Sequence, residues 1–449
     1  LNKYSNLTSG KVFNSVIEKE RKGEYLGKTV QIIPHVTDET KRFIKKAAVA
    51  TGADVVITEI GGTIGDIESR HFLEAIRQFA LDVGRENCAY IHVCLVPYIS
   101  GSNEYKSKPT QHSVNELQGI GINPDVIVLR SDGEVGEDIR RKIALFCNVK
   151  PDCVISDITL DCLYETPIAL HNAGLDKAVC KALKLGGRLQ LSDWKAFVKR
   201  AKNVKKEVKI ALVGKYVALH DAYLSVAEAL RSGGYAVNVK VDITWVDSET
   251  VTDNTAKKIF GDADGIIIPG GFGGRATEGM IATCKYAREN DVPCLGICLG
   301  MQMMVIEYAR NVCGLNGATS GEFDESAEHK VIDLMPDQRN VSLKGGTMRL
   351  GAYPCVIKKD TKAYSAYGKA EISERHRHRY EFNNDYRKVV SDCGMTLCGT
   401  SPDEKLVEMV EVGANRFYVG CQFHPEFKSR PDSAHPLFKA LVEESAKRI

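Results

Sequence analysis

Cys298 stands between two glycines, Gly296 and Gly300, where the apolar run of VPCLGICLGMQMMVIEYAR passes into a helix-patterned stretch. This is the G-x-nucleophile-x-G layout, in which the glycines permit a sharp strand-to-helix turn that lifts the nucleophile above a sheet. A helix that begins at the thiol presents its positive end and favours the thiolate. Packing as a small hydrophobe is the bland reading of a cysteine and suits the others in this chain; the elbow favours a nucleophile at Cys298. A thiolate needs a base, and the base needs an orienting partner. FYVGCQFHPEF ends a strand-like run with His424, Pro425 and Glu426. Pro425 stiffens the turn, and the two-residue spacing lets Glu426 reach the distal imidazole nitrogen. IIIPGGFGG ends another strand with glycines whose free N–H groups can stabilise an oxyanion. Together these parts suit acyl transfer through a cysteine.

The elements that must carry them follow from periodicity. TVQII, DVVIT, IHVCLV, DVIVL and CVIS read as buried parallel strands, and the stretches between them have helical spacing. Repeated βαβ units imply a doubly wound α/β domain over residues 1–190. A lysine-rich linker, residues 191–207, reads as a solvated helix end. IALVGKY then opens a second doubly wound series, 208–449, through VKVDITWV, GIIIPGG and VPCLGIC. The balance of 60 Lys+Arg against 58 Asp+Glu leaves a net charge of +2, so no nucleic-acid surface is indicated. No run is long and apolar enough for a membrane helix, and no signal-peptide layout opens the chain. Fourteen cysteines without a C-x-x-C pair fit a reduced, cytoplasmic protein with neither a zinc ribbon nor a disulfide framework.

Phosphate chemistry has weaker signals in the first half. Gly27-Lys28-Thr29 resembles the end of a phosphate loop, but the preceding glycine, Gly23, is one residue too near and a strand-like run follows. The triplet is a decoy. Glu59, at the end of DVVITEI, could hold Mg²⁺ beside phosphates or be a solvated acid. Lys106 and Lys108 precede a helix start at Pro109-Thr110-Gln111, a combination of cations and helix N–H groups suited to a triphosphate. A mobile surface loop is the competing reading. His376 and His378 alternate with Arg375, Arg377 and Arg379 in ERHRHRY, and no third metal ligand is suggested.

PGGFG, GICLGMQ and FHPEF, in that order, resemble a class I glutamine amidotransferase domain. VQIIPH, EIGGTIGDIES, KSKPTQHSVNEL, KIALFCN, GGTMRLG and RHRHRYEFNN extend the resemblance over the whole chain to the CTP synthase family, in which an amidoligase domain of phosphate-loop type precedes the glutaminase. The resemblance implies Cys298 as nucleophile, His424 as base and acid, and Glu426 as orienter. It implies an oxyanion hole from Gly271 and Leu299, a glutamine site lined by Leu299, Gly300, Met301 and Gln302, and Glu322 and Arg379 on the substrate's α-amino and α-carboxylate groups. Asp66, Ile67, Glu68, the run Lys106, Ser107, Lys108, Pro109, Thr110, Gln111, and Lys142 would contact UTP or the feedback inhibitor CTP. Ile158, Thr159 and Leu160 would meet the adenine of ATP, and Glu59 would hold Mg²⁺. The implied reaction phosphorylates the uracil 4-oxygen with ATP and displaces phosphate with ammonia from glutamine, with GTP as activator coupled through Leu26, Gly27 and Phe272. A cytoplasmic homotetramer, with filaments, is the implied assembly.

In one respect the chain departs from the family pattern. The family's first strand, its phosphate loop and a further Mg²⁺-binding acid have no counterpart from Leu1 onward, so they are expected upstream, and synthetase activity is expected to need them. Two other readings use the same residues: a non-catalytic or glutaminase-only regulatory paralogue, and a stand-alone hydrolase of γ-glutamyl substrates. The triad argues against the first and the UTP-type motifs against the second.

Overall fold

β-Branched residues crowd several short runs of the first half, and there they form β1 (Ile91–Leu95), β4 (Val126–Ser131) and β5 (Val154–Ile158), with a small hairpin of β2 (Tyr98–Ile99) and β3 (Glu104–Tyr105) between the first two. The computed structural model describes residues 4–187, 189–335 and 348–449. It divides into two units, Leu1–Lys195 and Ala196–Ile449. In the first, the sheet order is β1-β4-β5 and all pairing is parallel, with Val93 opposite Val128 and Leu129 opposite Ser156. The helices Lys108–Gly119 and Glu137–Phe146 send Val114 and Ile143 onto Ile127 and Leu129. Ala178 meets the opposite face at Val126, Val128 and Ile155.

Two expected strands are absent here. TVQII has extended backbone at Gln31 and Ile33 but belongs to no sheet among the described residues, and DVVIT has no regular structure. A parallel strand exists only through ladder bonds to a neighbour, and among the described residues β1 is bonded on one side alone, to β4. Ile57 is accordingly 93% exposed, and Val93 and Leu95 are also largely open. Apolar composition marked these runs as buried strands, and the structure overturns that reading because composition cannot supply the neighbour.

The second unit contains β6 (Lys206–Gly214), β7 (Val239–Asp247), β8 (Gly265–Ile268), β9 (Cys294–Ile297), β10 (Thr319–Ser320), β11 (Lys330–Leu334), β12 (Arg349–Ile357), β13 (Glu371–His378), β14 (Tyr380–Phe382), β15 (Met395–Thr400), β16 (Val407–Val412) and β17 (Tyr418–Cys421). Nine of them form one sheet in the order β13-β12-β15-β16-β17-β9-β8-β6-β7. The stretch from β17 to β7 is parallel. Its central strands are buried along their whole length, as expected where helices cover both faces. Helices Thr277–Glu289 and Leu299–Asn311 pack on one face, and Leu224–Val237 and Pro436–Ala446 on the other. Both units are α/β, as the alternation of runs implied. Gly345, Gly346 and Thr347 of the GGTMRLG segment lie outside the described residues.

Candidate active site

Three neighbouring parallel strands end side by side, and each delivers one part of the site. β9 lies between β8 and β17, with Gly296 opposite Ile268 on one side and Gly420 on the other. Immediately after β9, Cys298 turns the chain into the helix Leu299–Asn311 with φ 51° and ψ −102°, a strained conformation for a residue with a side chain. The turn is tight because the helix lies against β8: a Cβ on Gly300 would fall 2.0 Å from the carbonyl oxygen of Ile268. Leu299 is the first helical residue, so its N–H has no partner within the helix and is available to an oxyanion.

His424 follows β17 and is buried with Glu426, whose Oε1 lies 2.7 Å from the imidazole Nδ1. Pro425 opens the 3₁₀ turn Pro425–Lys428 that brings the carboxylate back to the ring. Burial opposes a charge on His424, but the charge and hydrogen bonding of Cys298, followed by those of Glu426, overcome it and push its pKa up to about 10. The sulfur on one side of the ring and the carboxylate on the other both favour the charged imidazole. β8 supplies Gly270, where a Cβ would sit 2.8 Å from His424 Cε1 and 3.5 Å from Cys298 Cβ. Only a glycine leaves room there for the base.

Of the other glutaminase residues, Glu322 accepts a hydrogen bond from Gly273 N–H at 2.8 Å, which places its carboxylate beside the glycine loop. Met301 is packed in the core against Gly420, leaving its main chain to line a site. Gln302 is also buried, its Nε2 donating to Tyr380 O at 3.1 Å and to Gln422 Oε1 at 3.2 Å. Arg375 and Arg377 share the outer face of β13, and Arg379 lies just beyond its end, half-buried. Arg377 stands over the Phe272 ring.

Sequence reasoning passed over three groups. Lys215, at the end of β6, is buried and donates to the carbonyls of Phe272 (3.1 Å) and Gly273 (2.6 Å), pinning the glycine loop. Burial pushes its pKa down, with Glu322 opposing. It stood in the quoted IALVGKY, but nothing there marked it as buried. Gln422, in CQFHPEF, has its Nε2 3.5 Å from Cys298 Sγ. Glu408 joins His376 and His378 in a buried cluster whose potential ligand atoms lie within 4.8 Å of one another. There Arg349 already pairs with Glu408 at 2.8 Å, supplying the positive charge a cation would bring.

In the first unit, Ser107 and Thr110 are buried at the start of the helix Lys108–Gly119, with Thr110 Oγ1 donating to Leu95 O and Gln111 Nε2 to Ser107 Oγ. Pro109 occupies the first turn. Lys106 pairs with Glu104, whose carboxyl is lowered first by Lys106 and also by Lys142. Lys108 lies over Phe146 of the helix that carries Lys142. The three lysines therefore share one neighbourhood. Asp66, Ile67 and Glu68 are exposed ahead of the helix Arg70–Val83, where Asp66 Oδ2 accepts from Thr63 N–H. Among the described residues, no hydrogen bond or ion pair joins them to the lysines. Ile158 ends β5, Thr159 Oγ1 accepts from Arg130, and Leu160 follows. Glu59 is exposed and, contrary to expectation, ends no strand.

Two family models match the chain: CTP synthase N-terminus over residues 1–185, and glutamine amidotransferase class-I over 218–444. A CTP synthase of Clostridium acetobutylicum is 55% identical over 444 residues, covering 99% of this chain and 83% of its own. One from Staphylococcus aureus strain JH9 is 54% identical over 449 residues, covering 100% and 84%. Among solved structures, the Trypanosoma brucei CTPS glutaminase domain with bound acivicin is similar at a TM-score of 0.51 and 37% identity, covering 54% of this chain and 94% of that one.

Proposed function

The chain belongs to the CTP synthase family, and from that premise we propose how its residues divide the work of aminating UTP to CTP with ammonia from glutamine. The observation that carries the glutaminase half is the buried Glu426–His424 pair beside Cys298 at adjoining strand ends. Cys298 Sγ attacks the side-chain carbonyl carbon of glutamine, and the displaced electron pair settles on an oxygen held by the N–H groups of Gly271 and Leu299. His424 gives its proton to the departing nitrogen, releasing ammonia and leaving a thioester. It then takes a proton from water as the hydroxide replaces sulfur and frees glutamate. Glu322 receives the substrate's α-amino group, and Arg379 its α-carboxylate, which suits a planar guanidinium.

In the first unit, Lys106, Lys108 and Lys142 neutralise the triphosphate of UTP or CTP at the start of a helix, with Ser107 to Gln111 beneath and Asp66 to Glu68 contacting the nucleotide. Ile158, Thr159 and Leu160 meet the adenine of ATP. Glu59 offers a single open carboxylate, which suits Mg²⁺ shared with nucleotide phosphates; the ion would supply charge neutralisation there. GTP activation through Leu26, Gly27 and Phe272, feedback by CTP, a tetrameric assembly and a cytoplasmic location complete the reading. Among the described residues, no helix is long and apolar enough to cross a membrane. The test is glutamate release from glutamine by the chain and by its C298A variant: release by the parent and none by the variant is the expected result.

A further inference from the structure

Gln422 is fully buried between β17 and the catalytic turn, and nothing in the hydrolysis described above uses it. Its carboxamide has one end 3.5 Å from Cys298 Sγ and the other 3.2 Å from Gln302. Which end is which can be argued from the neighbours. The carbonyl oxygen of Tyr380 can only accept, so the Gln302 atom 3.1 Å away must be its NH₂. That same NH₂ faces Gln422, which must therefore turn its oxygen toward Gln302 and its own NH₂ toward the sulfur. Reversing either amide would set oxygen against oxygen, or oxygen against a thiolate, at buried positions. The main chain reinforces the arrangement, because Gln422 N–H donates to Glu408 O at 2.8 Å across the sheet. The direction of the whole relay is thus set by one backbone carbonyl.

We propose that Gln422 is a catalytic residue of the glutaminase, donating an N–H hydrogen bond to the Cys298 sulfur, and that Gln302 is the positioning residue that keeps this donor aimed. The inference rests on the nucleophile assignment made above. A donor at the sulfur acts twice. It stabilises the thiolate before attack, and it stabilises the same thiolate as leaving group when water cleaves the thioester. Between those two moments the sulfur is neutral and bonded to carbon, and the hydrogen bond is weak. The donor therefore favours the charged ends of the cycle, which a packing residue of the same size would not.

The test replaces Gln422 by Met, which keeps the volume and removes the donor, in the full chain. Iodoacetamide labels the Cys298 thiolate, and the labelled peptide is quantified by mass spectrometry as a function of pH. The midpoint should rise by about one pH unit, the size expected for losing a hydrogen bond to a charged group. Glutaminase kcat should fall at least tenfold while KM for glutamine changes little. Glu in place of Gln422 keeps the shape and, once ionised, opposes the thiolate, so it should raise the midpoint further; it also serves if the Met variant does not fold. A midpoint unchanged in the folded variants overturns the proposal. Labelling does not require turnover, so its result is read separately from the C298A result. A purely structural Gln422 would lower the melting temperature and leave the midpoint where it was.

Discussion

The amide N–H of Cys298 donates to the carbonyl of Cys421 across 2.7 Å, the last rung between β9 and β17 before both chains leave the sheet. The proposed nucleophile and base therefore start from one hydrogen-bonded point. Cys298 is one residue beyond the end of its strand, and His424 follows three residues after Cys421. Sheet pairing fixes their separation, with no loop between them free to wander. That is why a variant of the thiol itself should disturb chemistry and not architecture. Replacing Cys298 by Ser or Ala should abolish glutamate release from glutamine, with an unchanged melting temperature to within a few degrees. Glutamate release at the parent's rate by the Ala variant would show the triad assignment to be wrong.

Glu426 should control the alkaline limit of hydrolysis. Its carboxylate, 2.7 Å from Nδ1, is one of the groups that raise the proton affinity of His424 against the effect of burial. With the pKa pushed up to about 10, the imidazolium persists through neutral pH and is lost as the pH rises through that value. Removing a negative neighbour lowers the pKa of a cationic acid, so in E426Q the loss must begin at lower pH, by about 1–3 units. The kcat–pH profile of the variant should show its descending limb displaced toward neutrality. Its maximum should fall ~10²-fold or more, as for a general acid–base group that has lost its orientation. An alkaline limb in the same place would mean that another group sets it.

Lys215 offers a test of the loop that carries Gly271, the glycine proposed to hold the oxyanion. Its ammonium reaches two carbonyls of that loop, Phe272 and Gly273, from a buried position at the end of β6. Lys215→Met keeps the aliphatic stem and leaves both carbonyls without this donor. Hydrolysis should slow by ~10-fold or more, the scale set by misaligning one oxyanion donor. Steady-state kinetics with glutamine is the measurement, and a parental kcat would assign the lysine a purely structural task.

The segments proposed as catalytic were legible because elbow chemistry is local: two glycines, a cysteine and a helix start lie within a few residues, and His-Pro-Glu is shorter still. What brought them together was not. The neighbouring placement of β8, β9 and β17 joins residues more than a hundred positions apart, and no periodicity announces such an order. Lys215 and Gln422 escaped for a related reason, since their roles depend on burial against partners distant in sequence. Glu408 supplied the third group beside His376 and His378 from β16, three places along the sheet order from β13. In the first unit the alternation of apolar runs located β1, β4 and β5, but TVQII and DVVIT show its limit: a similar apolar run makes a strand only where a neighbour can bond it.

The triphosphate reading can be tested on Lys106 and Lys108 together. Lys106 already answers Glu104, and Lys108 rests over Phe146, so neither is an idle surface cation. Their replacement by Ala removes two positive charges from the start of a helix whose first turn includes Pro109. Calorimetric titration with CTP should show affinity reduced ~10-fold or more, because charge-assisted contacts to phosphate are the strong ones. The loss should be larger at low salt than at high salt. Unchanged affinity would leave the lysines as solvated loop residues.

Two glycines of the site should separate activity from stability. At Gly270 a methyl group would fall 2.8 Å from His424 Cε1, nearer than carbon atoms tolerate, so the ring or the strand end must shift. The ring is not free to give way, because Nδ1 is held at 2.7 Å by Glu426 and the surroundings are buried. The backbone at Gly270 is not in the left-handed region, so alanine is conformationally acceptable and the damage is confined to the base. A displacement well under 1 Å suffices to lower the rate, since ~10²-fold can follow from a misplacement of about 1 Å. At Gly300 the obstacle is different in kind. A methyl there would lie 2.0 Å from the carbonyl oxygen of Ile268, a backbone atom of the central sheet. Relief would have to come from lifting the whole helix Leu299–Asn311 off β8, at a cost of about 1–3 kcal/mol or more. Gly270→Ala should therefore melt close to the parent while its kcat falls at least tenfold, and Gly300→Ala should lose stability and activity together. Thermal melts beside glutaminase kinetics decide it. A Gly270→Ala enzyme with parental kcat would show that His424 has room the structure denies it.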